Sequence, residues 1–400
     1  MKKPFHIIAK PTGSQCNLSC EYCFYLGKDQ SIRNIVKKSN RHMNDETLRS
    51  FVKQYIAASP LQEVEFIWQG GEPTLAGIPF FRRVLFWQNT YAGTKKIRNS
   101  IQTNGVLIND EWGKFLAKNH FLVGISIDGP KEIHDFYRFS NSGRTSFDRV
   151  MQAVAILKKY QIAFNVLTTV NSMNCHSPLS VYHFITQELG ASHVQFIPIV
   201  EQYSPPTAPE NTLYPPAKKL ADWSVTGEAW GQFIITIFDY WVKHDVGRKF
   251  VQLFDNVFAI WLGEKPSLCV MNGSCGQGLV IEQNGDIFSC DHYVYPSHKL
   301  GNINTDDLDR MVYGKKQRRF GLSKLNVSRA CYYCEWLRFC NGGCPKHRIS
   351  RDENLGNNHL CQGYQAMFSH MAPYMEHMSK LLAQNRAPAD IMYIAASLQE

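Results

Sequence analysis

Cysteines 16, 20 and 23 stand in C-N-L-S-C-E-Y-C-F-Y, three thiols on one short stretch followed at once by two aromatics. Three thiolates so spaced can wrap one corner of an iron-sulfur cube, which ordinarily takes four, leaving one iron open to bind something else. A disulfide leaves an odd thiol over, and structural zinc wants four closed ligands. His6 is the nearby imidazole, and it falls on a predicted strand rather than in the loop. The pattern points to a cluster with an open position. The chain has twelve cysteines in all. Eight of them, Cys269, Cys275, Cys290, Cys331, Cys334, Cys340, Cys344 and Cys361, fall in the second half, and eight is the number that closes two four-iron clusters. Two zinc knuckles are the competing reading there, and spacing alone leaves the pairing open. Cys175, in N-S-M-N-C-H-S-P, belongs to neither set and reads as a structural thiol.

The elements that must position these residues alternate. Strands are predicted at Phe5–Ala9, Val64–Trp68, Lys96–Gln102, Phe121–Ile127, Ala163–Val170 and His193–Ile199. Helical periodicity covers Asn44–Ala58, Pro79–Tyr91, Asn109–Asn119, Phe147–Tyr160 and Pro178–Leu189. Repeated βα units predict an α/β fold with a parallel sheet, which right-handed crossovers curl toward a barrel. Barrel chemistry gathers at the C-terminal ends of the strands. Those ends carry the cysteine triplet, Q-G-G-E-P (69–73), Q-T-N-G (102–105), S-I-D-G-P (126–130) and F-I-P (196–198). The proline-rich run 204–216 predicts a long loop or linker. A helix follows over Gly227–His244, and then the cysteine-rich region.

The net charge of +9 is spread along the chain, and its densest cluster, K-K-Q-R-R at 315–319, reads as a solvated helix face rather than a nucleic-acid patch. The N-terminal apolar stretch runs into Lys10 and Pro11, too short for a signal-peptide core, and no uninterrupted run reaches the length of a membrane span. We expect a soluble cytoplasmic protein without nucleic-acid or membrane partners. In a reducing compartment tight cysteine spacing points to metal or redox chemistry rather than to disulfides.

C-x3-C-x2-C with an aromatic directly after it, followed about fifty residues later by G-G-E-P, resembles the radical S-adenosylmethionine enzymes, and the second-half cysteines look like their SPASM extension. The resemblance narrows to the anaerobic sulfatase-maturating enzymes and covers most of the chain, through W-Q-G-G-E-P-T, S-I-Q-T-N-G, L-V-G-I-S-I-D-G-P, N-G-D-I-F-S-C-D-H-Y-V-Y-P, K-L-G-N-I and C-N-G-G-C-P-K-H-R. It implies a partial (βα)6 TIM-type barrel over 1–235, a SPASM domain with two auxiliary clusters over 236–370, and a helical tail over 371–400. It implies S-adenosyl-L-methionine and three 4Fe-4S clusters: one on Cys16, Cys20 and Cys23, a second on Cys269, Cys275, Cys290 and Cys344, a third on Cys331, Cys334, Cys340 and Cys361.

Gly70, Gly71 and Glu72 would meet the methionyl group of S-adenosylmethionine, since glycines allow close backbone approach. Ser126, Asp128 and Arg138 would add polar contacts, against the plainer reading of a polar turn. Tyr25 and Gln69 adjoin the cofactor motifs and would hydrogen-bond the substrate backbone. The implied reaction removes a hydrogen from Cβ of a Cys or Ser in a nascent, unfolded sulfatase and yields Cα-formylglycine, with Asp291 of C-D-H-Y as general base. An electron donor such as flavodoxin or ferredoxin is the second implied partner. Two alternatives compete: a SPASM enzyme that forms a thioether or an epimer in another peptide, and a zinc-stabilised RNA-binding protein. The second gives no reason for a ligand set one short at 16–23.

Overall fold

The structure, a computed structural model, describes residues 2–25, 42–202, 220–352 and 355–395. The proline-rich stretch 204–216 lies outside the described residues. In chain order the principal elements are β1 (His6–Ala9), α1 (Asp45–Ala58), β2 (Glu63–Trp68), α2 (Gly77–Tyr91), β3 (Lys96–Thr103), α3 (Asp110–Lys118), β4 (Leu122–Ser126), α4 (Phe147–Lys159), β5 (Phe164–Val170) and α5 (Pro178–His183). They continue with β6 (His193–Pro198), α6 (Gly227–His244), β7 (Phe250–Val251), α7 (Gln252–Trp261), β8 (Gly278–Ile281), β9 (Asp286–Phe288), β10 (Lys299–Asn302), α8 (Leu308–Tyr313), α9 (Lys315–Ser323) and α10 (Cys361–Ala383).

The first six strands fall within one residue of their expected bounds. Capping sets the helix starts. Asn44 Oδ1 accepts from Thr47 N at 2.8 Å and Asn109 Oδ1 from Trp112 N at 3.0 Å, with two acidic residues in each first turn facing the positive end of the helix dipole. The helix expected over Pro178–Leu189 is shorter: α5 ends at His183 and passes into a wider, π-type turn over Phe184–Glu188. The strands β7 to β10 were not foreseen, and α10 runs through position 370.

The chain forms two compact units, neither of them contiguous. The first comprises Met1–Ile127, Tyr137–Asn165 and Ser274–Ser323, the second Asp128–Phe136, Val166–Gly273 and Lys324–Glu400. In the first unit the strand order is β10-β9-β8-β1-β2-β3-β4. Strands β1 to β4 run parallel, pairing Ile8 with Ile67, Phe66 with Asn99 and Gln102 with Gly124. Helical crossovers make such pairings possible and bury the sheet, so its strands are apolar. Phe51 of α1 packs against Phe66 and Trp68 of β2 at ring separations of 5.6 and 6.3 Å, and all three are fully buried. Each such side chain contributes about 1.5–3 kcal/mol by leaving water.

On its other edge β1 pairs parallel with β8, in the register His6 to Gly278 and Ala9 to Ile281. Strands β8, β9 and β10 then form an antiparallel meander, whose first turn closes at Gly285 with φ +88, a conformation that glycine adopts without strain. This pairing carries the segment after β9, with Cys290 and Asp291, to the sheet that also holds the N-terminal cysteine loop.

In the second unit β6 lies between β5 and β7, with Thr168 opposite Phe196 and His193 opposite Phe250. Helices α6 and α10 approach so closely that a Cβ on Gly363 would lie 2.1 Å from the carbonyl oxygen of Gly227. Small residues at the crossing let the backbones meet, and Phe238, Trp241, Phe254 and Tyr374 fill the core beside it. No helix among the described residues is long and apolar enough to cross a membrane.

Candidate active site

The cysteine loop and the G-G-E-P turn are locked together at the ends of β1 and β2. Gly71 N donates to Gly13 O at 2.8 Å and Glu72 N to Gln15 O at 2.7 Å. A Cβ on Gly71 would stand 1.9 Å from Gln15 O, and one on Gly70, at φ +104, would lie 2.7 Å from Cβ and Cγ of Lys10. Only glycine permits this approach. The three thiols of the loop are half-buried and sense one another: burial pushes Cys16 up to about 12, and the charges of Glu72, Cys20 and Cys23 add to it. Asn104 holds the loop from β3, donating to Asn17 Oδ1 at 2.7 Å and to Cys16 Sγ at 3.6 Å, and Asn141 donates to Cys16 O at 3.0 Å.

Glu72 is fully buried, and its carboxylate serves the loop. Oε1 accepts from Thr74 N (3.0 Å), Thr74 Oγ1 (2.5 Å) and Thr103 Oγ1 (2.7 Å), and Oε2 accepts from Asn104 N (2.8 Å). Burial raises its pKa while these donors pull it back down. The side chain thus joins the ends of β2 and β3. Gln69 is half-buried just after β2, its backbone N–H donating to Ala9 O at 2.9 Å. Ser126 accepts from Gln102 at 2.9 Å. Arg138 is buried, with its guanidinium 5.5 Å from the Tyr22 ring, inside the cysteine loop. These residues share the first unit with the cysteine triplet. Asp128 belongs to the second unit, where it is fully buried, accepts from Thr169 N at 3.2 Å and receives Asn174 on its carbonyl at 3.1 Å.

Asp291 opens a short helical turn directly after Cys290 and forms an ion pair with Lys10. Lys10 is 1% exposed, and its ammonium lies 3.4 Å from the centre of the Tyr25 ring. The Tyr25 hydroxyl is turned onto the carboxylate of Glu282, and burial together with the charges of Glu282 and Asp291 raises the phenol well above its ordinary value. Tyr25 also packs on Val280, Phe288 and Val294, with Ile8, Cys23 and Phe24 against the same cluster. The structure therefore brings Tyr25 and Asp291 together with the third loop cysteine. Lys10, Glu282 and Asn104 were not among the expected site residues. Lys10 and Asn104 carried a signal, a polar residue at the C-terminal end of a barrel strand. Glu282 carried none, because nothing local foretells that β8 pairs with β1.

The remaining cysteines are placed unit by unit, and none of the twelve is in a disulfide. In the first unit Cys275 N donates to Gly321 O at 3.1 Å, and Gln317 donates to Gly276 O (3.0 Å) and Ser289 O (3.1 Å), tying the neighbours of Cys275 and Cys290 to α9. In the second unit burial, and after it the charges of nearby Cys331, Cys361 and Cys334, push Cys340 up to about 11. Cys269 and Cys344 lie there as well, both acting on the buried Tyr364, and the fully buried Lys324 donates to Cys269 O at 2.8 Å. Cys175 is buried with its thiol on Ser172 O at 3.5 Å. Among the described residues no group of three or more His, Cys, Asp or Glu closes round a single metal ion. Thiolates round a four-iron cube stand farther apart than the ligands of one zinc, so the spread of these thiols is compatible with such a cluster.

The Radical SAM superfamily matches residues 11–178, and the iron-sulfur cluster-binding SPASM domain matches 271–335. The serine-type anaerobic sulfatase-maturating enzyme of Bacteroides thetaiotaomicron is 44% identical over 98% of this chain and 95% of its own length. The cysteine-type enzyme of Clostridium perfringens is 36% identical over 92% of this chain and 97% of its own. The solved structure of anSMEcpe with bound AdoMet and the Cp18Cys peptide superposes with a TM-score of 0.83 at 34% identity, covering 95% of this chain and all of that one. Streptococcus suis SuiB, at 16% identity and a TM-score of 0.61, covers 90% of this chain and 76% of its own, and shares the fold alone. The expected fold, a radical SAM domain followed by a SPASM domain, is thereby established, and the chain belongs to the anaerobic sulfatase-maturating enzymes.

Proposed function

We propose that this enzyme oxidises a Cys or Ser side chain in an unfolded sulfatase polypeptide to Cα-formylglycine, with Asp291 as the general base. The observation that carries the assignment is the ion pair between Asp291 and buried Lys10, against Tyr25 and in the same unit as Cys16, Cys20 and Cys23. Cys16, Cys20 and Cys23 would hold one 4Fe-4S cluster, Cys269, Cys275, Cys290 and Cys344 a second, and Cys331, Cys334, Cys340 and Cys361 a third. When bound, S-adenosylmethionine and its cluster supply removal of a hydrogen atom from Cβ, and the auxiliary clusters supply an outlet for one electron.

The protein's own share is positional and acid–base. Gly70 and Gly71 give close backbone approach beside the cysteine loop, Glu72 fixes that turn, and Ser126, Asp128 and Arg138 complete the polar surround. Gln69 borders the target's backbone, whereas Tyr25, expected there too, gives its hydroxyl to Glu282 and lines the site from below. Asp291 accepts the thiol or hydroxyl proton as the carbon–sulfur or carbon–oxygen bond becomes double. With Ser the aldehyde forms directly; with Cys, water replaces sulfur in the thioaldehyde and sulfide leaves. An acidic one-electron carrier of the flavodoxin or ferredoxin type supplies the reducing electron. A cytoplasmic location suits twelve cysteines without a disulfide.

The test uses protein reconstituted without oxygen, reductant, S-adenosylmethionine and peptides containing C-x-P-x-R or S-x-P-x-R. The expected result is a mass loss of about 18 Da from the first or about 2 Da from the second, with matching 5′-deoxyadenosine. Formation of 5′-deoxyadenosine with both peptides left unchanged would overturn the substrate assignment and turn attention to thioether or epimer chemistry.

A further inference from the structure

We propose that Lys10 is a positioning residue that aims the Asp291 carboxylate, an inference that rests on the reading of Asp291 as base. A buried ammonium costs several kcal/mol unless it is paired, so its presence calls for a reason. The strand itself does not require it: Lys10 follows the last residue of β1, and its contribution to the ladder is made by the backbone, N to Ile281 O at 2.9 Å. The side chain runs under Gly70, where a Cβ would strike it, and ends between the Tyr25 ring and Asp291.

The same register sets the other wall. Ala9 pairs with Ile281, so the next residues, Lys10 and Glu282, emerge side by side at the ends of β1 and β8, and Glu282 receives the Tyr25 hydroxyl. Lys10, Tyr25 and Glu282 thus build a buried bracket, and Asp291 docks on its cationic member. Asp291 sits in a three-residue turn, and the next side chain, His292, is engaged elsewhere, 5.6 Å from the Phe24 ring. The ammonium selects one direction for the carboxylate from its staggered alternatives. A base that must take its proton in step with hydrogen removal depends on that direction, and a displacement of about 1 Å can cost about 100-fold.

The readout is the ratio of formylglycine to 5′-deoxyadenosine, which a merely structural role would not move. Lys10→Met keeps the stem and removes the charge. We expect the ratio to fall about 10- to 100-fold while peptide KM stays within about twofold, and Lys10→Arg to recover most of the coupling. Lys10→Met combined with Glu282→Gln preserves the net charge of the buried cluster, so it reports on coupling even where the single variant folds poorly. A wild-type ratio in the folded variants, or formylglycine and 5′-deoxyadenosine falling in proportion, overturns the role of Lys10. Asp291→Asn separates the two levels. If it still makes formylglycine at the wild-type rate, the base assignment fails and Lys10 with it; if it is inactive while Lys10→Met stays coupled, only the inference about Lys10 fails.

Discussion

Replacing Gly71 by alanine tests whether the contact between the cysteine loop and the G-G-E-P turn is what builds the cofactor pocket. The new Cβ would lie 1.9 Å from Gln15 O, 2.5 Å from its carbonyl carbon and 2.7 Å from the carbonyl carbon of Ser14, all backbone atoms that no rotamer change can move. Ordinary contact begins near 3.4 Å, so the two loops must part by about 1.5 Å. Overpacking of this kind costs about 1–3 kcal/mol. The separation also breaks the bonds from Gly71 N to Gly13 O and from Glu72 N to Gln15 O, each worth about 1 kcal/mol. The total, about 3–5 kcal/mol, corresponds to at least about 100-fold in an equilibrium that needs the loops joined. The assay is equilibrium binding of S-adenosylmethionine to the reconstituted protein, with the initial rate of 5′-deoxyadenosine formation. Gly93→Ala is the control: its Cβ meets nothing within 4 Å, and its φ of +56 costs only local strain. Gly71→Ala with wild-type affinity and rate would refute the reasoning.

Two further outcomes follow from the same contacts. Glu72→Gln leaves one oxygen and one amine where two oxygens accept from Thr74, Thr103 and Asn104; the amine opposes a donor, and hydrogen exchange at the Thr74 and Asn104 amides should quicken about 10- to 100-fold. Cys340→Ala should lower bound iron from about twelve to about eight atoms per chain and leave the visible signature of the other clusters, whereas Cys175→Ser should leave iron content unchanged.

Much of this was legible before the coordinates, for reasons that differ by residue. The first six strands and the helices between them are local objects, written in apolar periodicity and in caps such as Asn44 and Asn109, and apart from the shortened α5 they appear where that pattern puts them. The cysteine triplet and G-G-E-P are likewise legible as local motifs, and the parallel pairing of β1 with β2 brings them together. Asp291 was recognisable beside Cys290, but its setting was not. That setting depends on a parallel pairing between β1 and β8, whose partners are separated by most of the chain, so no window of sequence contains both. Lys10 illustrates the cost of reading locally: it ends an apolar stretch before Pro11, and only the register with Ile281 and the glycine above it reveal a buried cation. Glu72 teaches the converse, since its carboxylate type did not foretell that it accepts from Thr74, Thr103 and Asn104 in the turn it caps.

The central claim is that Asp291 takes the proton of the target after the protein has positioned Cβ for hydrogen removal. The most direct measurement supplies a peptide dideuterated at Cβ of the target residue to wild-type enzyme and to Asp291→Asn, reading deuterium in 5′-deoxyadenosine and aldehyde in the peptide. The account predicts deuterated 5′-deoxyadenosine from both proteins and aldehyde from wild type, with aldehyde from the variant lowered about 100-fold or more. Aldehyde from Asp291→Asn at the wild-type rate would contradict it.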